Sequence, residues 1–203
     1  MLLILLLFRG TGIKAAIFYL YEGLLIVRAV FTSILLLLSG PVLANSNDSN
    51  LEKSGDVLHL LIPAVTLGAT LFVEDDYEGS WQLLKTGLVS RLAVEGLKYA
   101  VHKERPDGSG NDSFPSGHAA DTFAAATFVQ QRYGWEWAIP AYIGAAYVGY
   151  TRVASDQHHI EDVLAGAAIG VLSGLYFTDP YKGITITPIA GNGGYGLHVS
   201  GKF

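Results

Sequence analysis

The segment that most constrains this chain is an apolar run without charge from Ala29 to Ala44. Arg28 precedes the run and small residues close it, which favours a secretory signal or single anchor over a longer membrane span. We therefore expect residues 1–44 to be cleaved after Ala44 or kept as a membrane anchor. A further apolar stretch upstream of Arg28 leaves two alternatives: a pair of membrane helices, or a natural start near Val27.

The composition excludes several classes of protein. Hydrophobic residues make up 50% of the 203 positions and charged residues 15%, which is too apolar for a disordered chain. A net charge of -5 with 13 basic residues gives no basic surface for nucleic acid. Without cysteine the chain can form no disulfide or zinc–thiolate site. The length indicates one domain with a single core.

Hydrophobic periodicity predicts an all-α bundle over residues 56–179. Residues 45–55 are polar and are expected to form a linker, with Asp56 as the N-cap of a first helix that ends near Val73. The second helix, 81–102, mixes leucines with charged residues, so we expect one wet face and no membrane span. Further helices are predicted over 118–132, 137–152 and 160–177. In the segment 180–203, apolar and β-branched residues alternate with others on both sides of a GNGG turn. This pattern predicts a β-hairpin tail packed against the bundle.

The first cluster of chemistry is KYAVHKERP, which begins at Lys98. Lys98 and Arg105 are seven residues apart, which places them on one face of a helix. Pro106 disfavours helix at Arg105, so the guanidinium is expected to reach into a cleft where the helix ends. A basic helix C-terminus that answers the helix dipole is the alternative.

The second cluster is FPSGHAAD, residues 114–121. Its Pro-Ser-Gly precedes an Ala-rich helix, so the Ser116 hydroxyl and the N–H groups of Gly117 and His118 are expected to cradle an anion at the helix N-terminus. A bound phosphate would favour the imidazolium form of His118 and make it a proton donor. A serine-capped helix with an incidental histidine is the alternative.

The third cluster is TRVASDQHHIEDV, residues 151–163. His158 and Asp162 are four residues apart, so on a helix they share a face, and the carboxylate would fix the imidazole tautomer. Arg152 lies six residues before His158. His159 faces elsewhere, so we expect it to have no carboxylate partner and to be a solvated or capping histidine.

Together the three clusters resemble the motifs of the type 2 phosphatidic acid phosphatase superfamily. The match comprises Lys98, Arg105 and Pro106; Pro115 to His118; and Arg152, His158 and Asp162. Thr151 stands where the family usually has serine, which keeps a hydroxyl.

The resemblance implies a helical bundle of the phosphatase and haloperoxidase type that works without metal or cofactor. It also implies that His158 attacks phosphorus to form a phosphohistidine, that His118 protonates the leaving group and that Asp162 orients His158. Phosphate would be bound by Lys98, Arg105, Ser116, Gly117 and Arg152.

The expected substrate is a lipid phosphate or diphosphate at the periplasmic face of a bacterial membrane. Phosphatidic acid, phosphatidylglycerol phosphate, a polyprenyl diphosphate and lipid A are all compatible with the motifs. Three alternatives stay open: a vanadate-dependent haloperoxidase, which resembles the same motif set; a non-catalytic, membrane-anchored phospholipid-binding module; and a metal site. The metal site would use His118, His158, His159, Glu161 and Asp162.

Overall fold

The computed structural model describes residues 48–181, 184–191 and 194–201, so the predictions for residues 1–44 lie outside it. Five helices form the bundle, which confirms the all-α prediction for this part of the chain. Two antiparallel strands follow, with Ile184 opposite Gly201. The packing of these strands against the bundle stays a prediction. The elements are α1 Asp48–Val73, α2 Glu78–Val101, α3 Gly117–Tyr133, α4 Trp135–Ala154, α5 Ile160–Phe177, β1 Ile184–Gly191 and β2 Gly194–Gly201.

The first helix begins earlier than the sequence predicts. α1 starts at Asp48, so residues 48–55 are helical and not a linker, and Asp56 lies inside the helix and is not its N-cap. Within this segment the Ser54 hydroxyl has a partner in the bundle, because it lies 3.0 Å from the Tyr147 hydroxyl of α4. The Asp56 carboxylate does not cap α1, so it is free to contact other elements.

Helix α3 lies at the centre and packs against the other four helices. Alanine is the most frequent of its buried residues, which allows close helix approach. Glycines on α5 allow the closest contact: a Cβ at Gly166 would lie 2.2 Å from the Ser116 carbonyl oxygen, and one at Gly170 2.2 Å from that of Ala120. Small residues therefore fix the position of the α3 N-terminus against α5.

Helix α2 corrects the expectation of a simple wet face. Leu84, Leu88 and Leu92 are more than half exposed, and the residues that it buries are small or polar apart from Val94. The helix thus turns apolar side chains outward together with its charged ones. Of the described helices, two are long and apolar enough to cross a membrane, Asn50–Val73 and Ile160–Phe177.

A buried ion pair ties three helices together at the end of α3 away from Gly117. The Arg132 guanidinium donates two hydrogen bonds to the Glu74 carboxylate, at 2.9 and 2.6 Å. The same carboxylate accepts from the Tyr133 hydroxyl at 2.6 Å and from the N–H of Gly79 on α2 at 3.1 Å. Because both charges are almost completely buried, the pair depends on these additional bonds.

Candidate active site

Ser113 bonds to residues of the first and third sequence clusters and immediately precedes the second along the chain. Its N–H donates to the Lys103 carbonyl at 2.9 Å, and its hydroxyl donates to Asp162 Oδ2 at 2.5 Å. Its carbonyl oxygen lies 2.7 Å from His158 Nδ1. Ser113 is completely buried. A serine in a Gly/Asp/Asn segment is an ordinary turn residue, so nothing in the local sequence marks Ser113 as part of the site.

His158 is held as a neutral imidazole with a defined tautomer. A carbonyl oxygen can only accept, so Nδ1 carries the proton and Nε2 keeps its lone pair. Burial lowers the pKa of His158 to about 4, and the charges of Arg105 and Lys98 act in the same direction. At neutral pH the imidazole of His158 is therefore uncharged, and the lone pair of its Nε2 is free.

The predicted direct pairing of His158 with Asp162 is wrong. His158 precedes α5, which begins at Ile160, so the two residues do not share a helical face. Asp162 Oδ2 accepts a hydrogen bond from the Ser113 hydroxyl, and the carbonyl oxygen of the same serine faces His158 Nδ1. His159 caps α5, as one of its two predicted roles requires, but the expectation that it has no carboxylate partner is wrong. Its N–H donates to Asp162 Oδ2 at 3.0 Å, and its Nδ1 lies 3.2 Å from the same atom.

Lys103 balances the charge of Asp162. Its ammonium donates to Asp162 Oδ1 at 2.7 Å and to Glu161 Oε1 at 2.6 Å. Within the described residues, His159, Glu161 and Asp162 bring their ligand atoms close enough for a metal ion. The structure does not add His118 and His158 to this group, and the Lys103 ammonium already bonds to both carboxylates. The five-residue metal site is therefore not assembled.

Lys98 and Arg105 converge, but not through a shared helical face. α2 ends at Val101, and His102 has a left-handed backbone with φ 48°. Both cations meet at Asp112: Lys98 Nζ donates to its carbonyl at 2.6 Å, and Arg105 donates to its carboxylate at 2.7 and 3.0 Å. The Arg105 guanidinium holds the pKa of Asp112 well below its usual range.

Helix α3 begins with a serine cap, as the alternative interpretation of this cluster predicts, and the anion cradle stays a prediction. Ser116 is the N-cap, and its hydroxyl accepts from the N–H of Ala119 at 3.4 Å. The N–H groups of Gly117 and His118 belong to the first turn, where a helix offers no acceptor. His118 Nε2 lies 3.0 Å from Asp56 Oδ1. Burial lowers the pKa of His118 to about 4, and the charges of His59 and Arg152 contribute.

Arg152 is buried beside this histidine. Its Nη1 donates to Asp56 Oδ1 at 2.9 Å, so Asp56 bridges Arg152 and His118. Its Nη2 donates to the Glu52 carbonyl at 2.6 Å. The hydroxyl of Thr151 donates to the Val148 carbonyl at 2.8 Å, so it is used inside α4. Sequence reasoning missed the contact of Asp56, since an aspartate before an apolar run also has the form of a cap.

A groove of about 520 Å³ lies beside the site, between α1, α2 and α3. Its walls are apolar side chains, among them Leu67, Leu84 and Leu88. His59, Arg91 and Asp121 lie at the end near His118, where the His59 and His118 ring centroids are 4.1 Å apart. The groove thus connects an apolar surface with the polar cluster.

Several known proteins are similar to this chain. Residues 79–182 match the PAP2 superfamily model. A lipid A 4'-phosphatase of Helicobacter pylori is 34% identical over 171 residues, which is 77% of this chain and 84% of that protein. A lipid A 1-phosphatase of Porphyromonas gingivalis is 39% identical over 99 residues, which is 43% of this chain and 22% of that protein. The crystal structure of Aquifex aeolicus LpxE shares 24% identity at a TM-score of 0.48, covering 59% of this chain and 82% of that one.

Proposed function

We propose a substrate and a mechanism for this chain, which belongs to the PAP2 superfamily and is a phosphatase. The proposed substrate is a lipid phosphate monoester of the lipid A class, and its hydrolysis proceeds through a phosphohistidine. The observation that carries the proposal is His158, a buried neutral imidazole whose free Nε2 belongs to a site with three cations. The names of the two bacterial relatives support the substrate class, and the apolar groove offers room for an acyl chain.

In the first step, the lone pair of His158 Nε2 attacks phosphorus. The bond between phosphorus and the lipid oxygen breaks, and its electron pair stays on that oxygen, which takes a proton from His118. The free site holds His118 neutral, but a phosphate dianion nearby favours the imidazolium form. As His158 becomes positively charged, its Nδ1–H remains bonded to the Ser113 carbonyl.

The cations stabilise the charge that spreads over the other phosphate oxygens. Lys98 and Arg105 would bind from the end of α2, and Arg152 from α4. The N–H groups of Gly117 and His118 add the helix N-terminus, and Ser116 shapes that terminus as its N-cap. We propose that phosphate takes over bonds that Asp112 and Asp56 now make to these cations.

In the second step, water attacks the phosphohistidine. The P–N bond breaks, its electron pair returns to His158 Nε2, and inorganic phosphate leaves. His118, which lost its proton to the lipid alcohol, takes one from the attacking water, so both histidines return to their starting state. Asp162 contributes as a positioning residue, because its bond to the Ser113 hydroxyl fixes the carbonyl that orients His158.

We further propose that the enzyme works in a bacterial envelope with its site toward the periplasm, and that residues 1–44 deliver it there as a cleaved signal or anchor. The outward leucines of α2 support contact with lipid, since large exposed apolar patches are unusual on soluble monomers. The two apolar helices Asn50–Val73 and Ile160–Phe177 are long enough to lie across a bilayer.

The test is phosphate release in EDTA from lipid A, phosphatidic acid, phosphatidylglycerol phosphate and a polyprenyl diphosphate. Wild type should act best on lipid A, and His158→Ala should be inactive on all four. Rapid quenching with labelled substrate should trap an acid-labile phosphoprotein that is absent from His158→Ala. Equal release by wild type and His158→Ala would contradict the mechanism, and a preference for another lipid would correct the substrate alone.

A further inference from the structure

Helix α1 contacts His118 twice. Asp56 meets the ring edge at Nε2, at 3.0 Å. One turn later, His59 packs its ring against the ring of His118, with centroids 4.1 Å apart and planes inclined by 38°. The imidazole of His118 is thus restrained both at its edge and on one face.

His59 is itself anchored to the helix that carries His118. Its Nε2 lies 2.8 Å from Asp121 Oδ2, and the carboxylate can only accept, so this nitrogen carries a proton. Asp121 follows His118 by three residues on α3 and also accepts a hydrogen bond from Arg91. The side chains of His59 and Asp121 are 15% and 17% exposed, so water has little access to the contact.

The restraint matters because a general acid must point its proton at the leaving oxygen, and small errors in direction reduce the rate. We propose that His59 is a positioning residue for proton donation: anchored by Asp121, its ring fixes the plane of the His118 imidazole. The inference rests on the proposed role of His118. Within the described part of the chain, His59 contacts His118 and Asp121 and has no recorded contact with His158.

The groups that face His118 from neighbouring elements are Asp56 and His59 of α1 and Arg152 of α4. Lys98 and Arg105 bond to Asp112 on the side of His158. Removal of His59 therefore leaves the nucleophile and these two cations in place. Its effect on kcat/KM, which reports the steps up to departure of the leaving group, should therefore fall on protonation of that group.

This separation defines the experiment. The kcat/KM for 4-nitrophenyl phosphate, whose leaving group departs without a proton, is compared with that for dioctanoyl phosphatidic acid, whose alkoxide needs one. The ratio of the two values does not depend on the amount of folded enzyme. In His59→Ala, the ratio of lipid to nitrophenyl activity should fall about 10-fold, part of the roughly 100-fold or larger contribution of a general acid.

Two further variants complete the test. The ratio of lipid to nitrophenyl activity in His118→Ala gives the loss expected when the proton donor is absent. His59→Phe keeps a ring against His118, so its ratio should lie between those of wild type and His59→Ala. His102→Asn is the control, because its side chain lies on the exposed end of α2 and asparagine tolerates the φ of 48° there. This control should leave both activities unchanged.

Two results would overturn the inference in distinguishable ways. If His118→Ala lowers the ratio but His59→Ala and His59→Phe reduce both activities equally, His59 has a structural role only. If His118→Ala leaves the ratio unchanged, the proposed proton donor is wrong and the role of His59 fails with it.

Discussion

Each cation assigned to phosphate binding already bonds to an aspartate. Arg105 and Lys98 bind Asp112, and Arg152 binds Asp56. Paired in this way, the guanidinium groups keep defined positions without a bound anion, and an incoming phosphate exchanges one set of charge-assisted bonds for another. The exchange limits affinity for free phosphate, which is also the product.

Replacing Asp112 with asparagine should strengthen binding of inorganic phosphate. The amide removes a negative charge from Lys98 and Arg105 but keeps the size of the side chain, and one neighbouring unit charge contributes about 1 kcal/mol or more in this half-exposed setting. We expect the inhibition constant for phosphate or vanadate to fall about 5- to 10-fold in Asp112→Asn. Competitive inhibition assays measure it. Glu95→Gln, an exposed carboxylate elsewhere on α2, is the control, and an unchanged or weaker inhibition in Asp112→Asn would contradict the exchange.

The two site histidines should titrate well below the usual range of histidine. His158 and His118 both have a pKa lowered to about 4, in each case mainly by burial. As the pH falls through this value, both rings take up a proton and become positively charged. The fraction of His158 in its neutral, nucleophilic form therefore rises with pH and reaches its maximum before neutrality. Histidine ring NMR from pH 3.5 to 8 measures this directly, with His158→Gln and His118→Gln to assign the signals. A midpoint near 6.5 for His158 would contradict its buried, neutral state.

At the level of elements, single glycines decide how closely helices approach the site. Gly55 of α1 packs on the end of α4, where a Cβ would lie 2.0 Å from Thr151 Oγ1 and 2.7 Å from Arg152 Nη2. Both atoms belong to buried side chains with little freedom to move. The glycine therefore lets α1 bring Asp56 to Arg152 and His118.

Gly55→Ala should impair both stability and catalysis. The methyl group forces α1 away from Arg152, and overpacking of this kind costs about 1–3 kcal/mol. We expect kcat/KM to fall about 10-fold or more, together with the midpoint of thermal unfolding. Gly68→Ala is a matched control on the same helix, since nothing lies within 4 Å of a Cβ there. That control should be neutral or stabilising by up to about 1 kcal/mol; equal effects of both substitutions would argue against the close contact.

The elements themselves could be predicted because helical periodicity is local. The prediction for Ile160–Phe177 agrees with the helix that the structure contains. Predictions failed where a motif was treated as a continuous helix. Arg105 and His158 lie outside the predicted helices as well as the observed ones, so helical spacing could not identify their partners. These partners are Asp112 and Ser113, which only the loop conformation brings near. Long-range contacts such as that of Asp56 with His118 have no signature in local spacing.

Across the whole molecule, the site and the main buried ion pair lie at opposite ends of α3. The helix has 17 residues, which at 1.5 Å each separates its ends by about 25 Å. Catalytic groups gather at Gly117, whereas Arg132 and Glu74 join α1, α2 and α3 at the other end. Stability and catalysis should therefore respond separately to substitutions at the two ends.

Glu74→Ala tests this separation. It leaves the Arg132 guanidinium buried without its partner and removes the acceptor of the Tyr133 hydroxyl, so the free energy of unfolding should fall by about 3–5 kcal/mol. The kcat/KM per folded molecule, measured well below the unfolding transition, should change less than 2-fold.

Glu95→Ala is the control for this prediction. It removes an exposed pair with Arg91 and should lower the free energy of unfolding by no more than about 1 kcal/mol. Adding Arg132→Met should recover part of the loss, because no unpaired charge then remains buried. A fall in kcat/KM comparable with that of Gly55→Ala would show that the two ends of α3 are coupled.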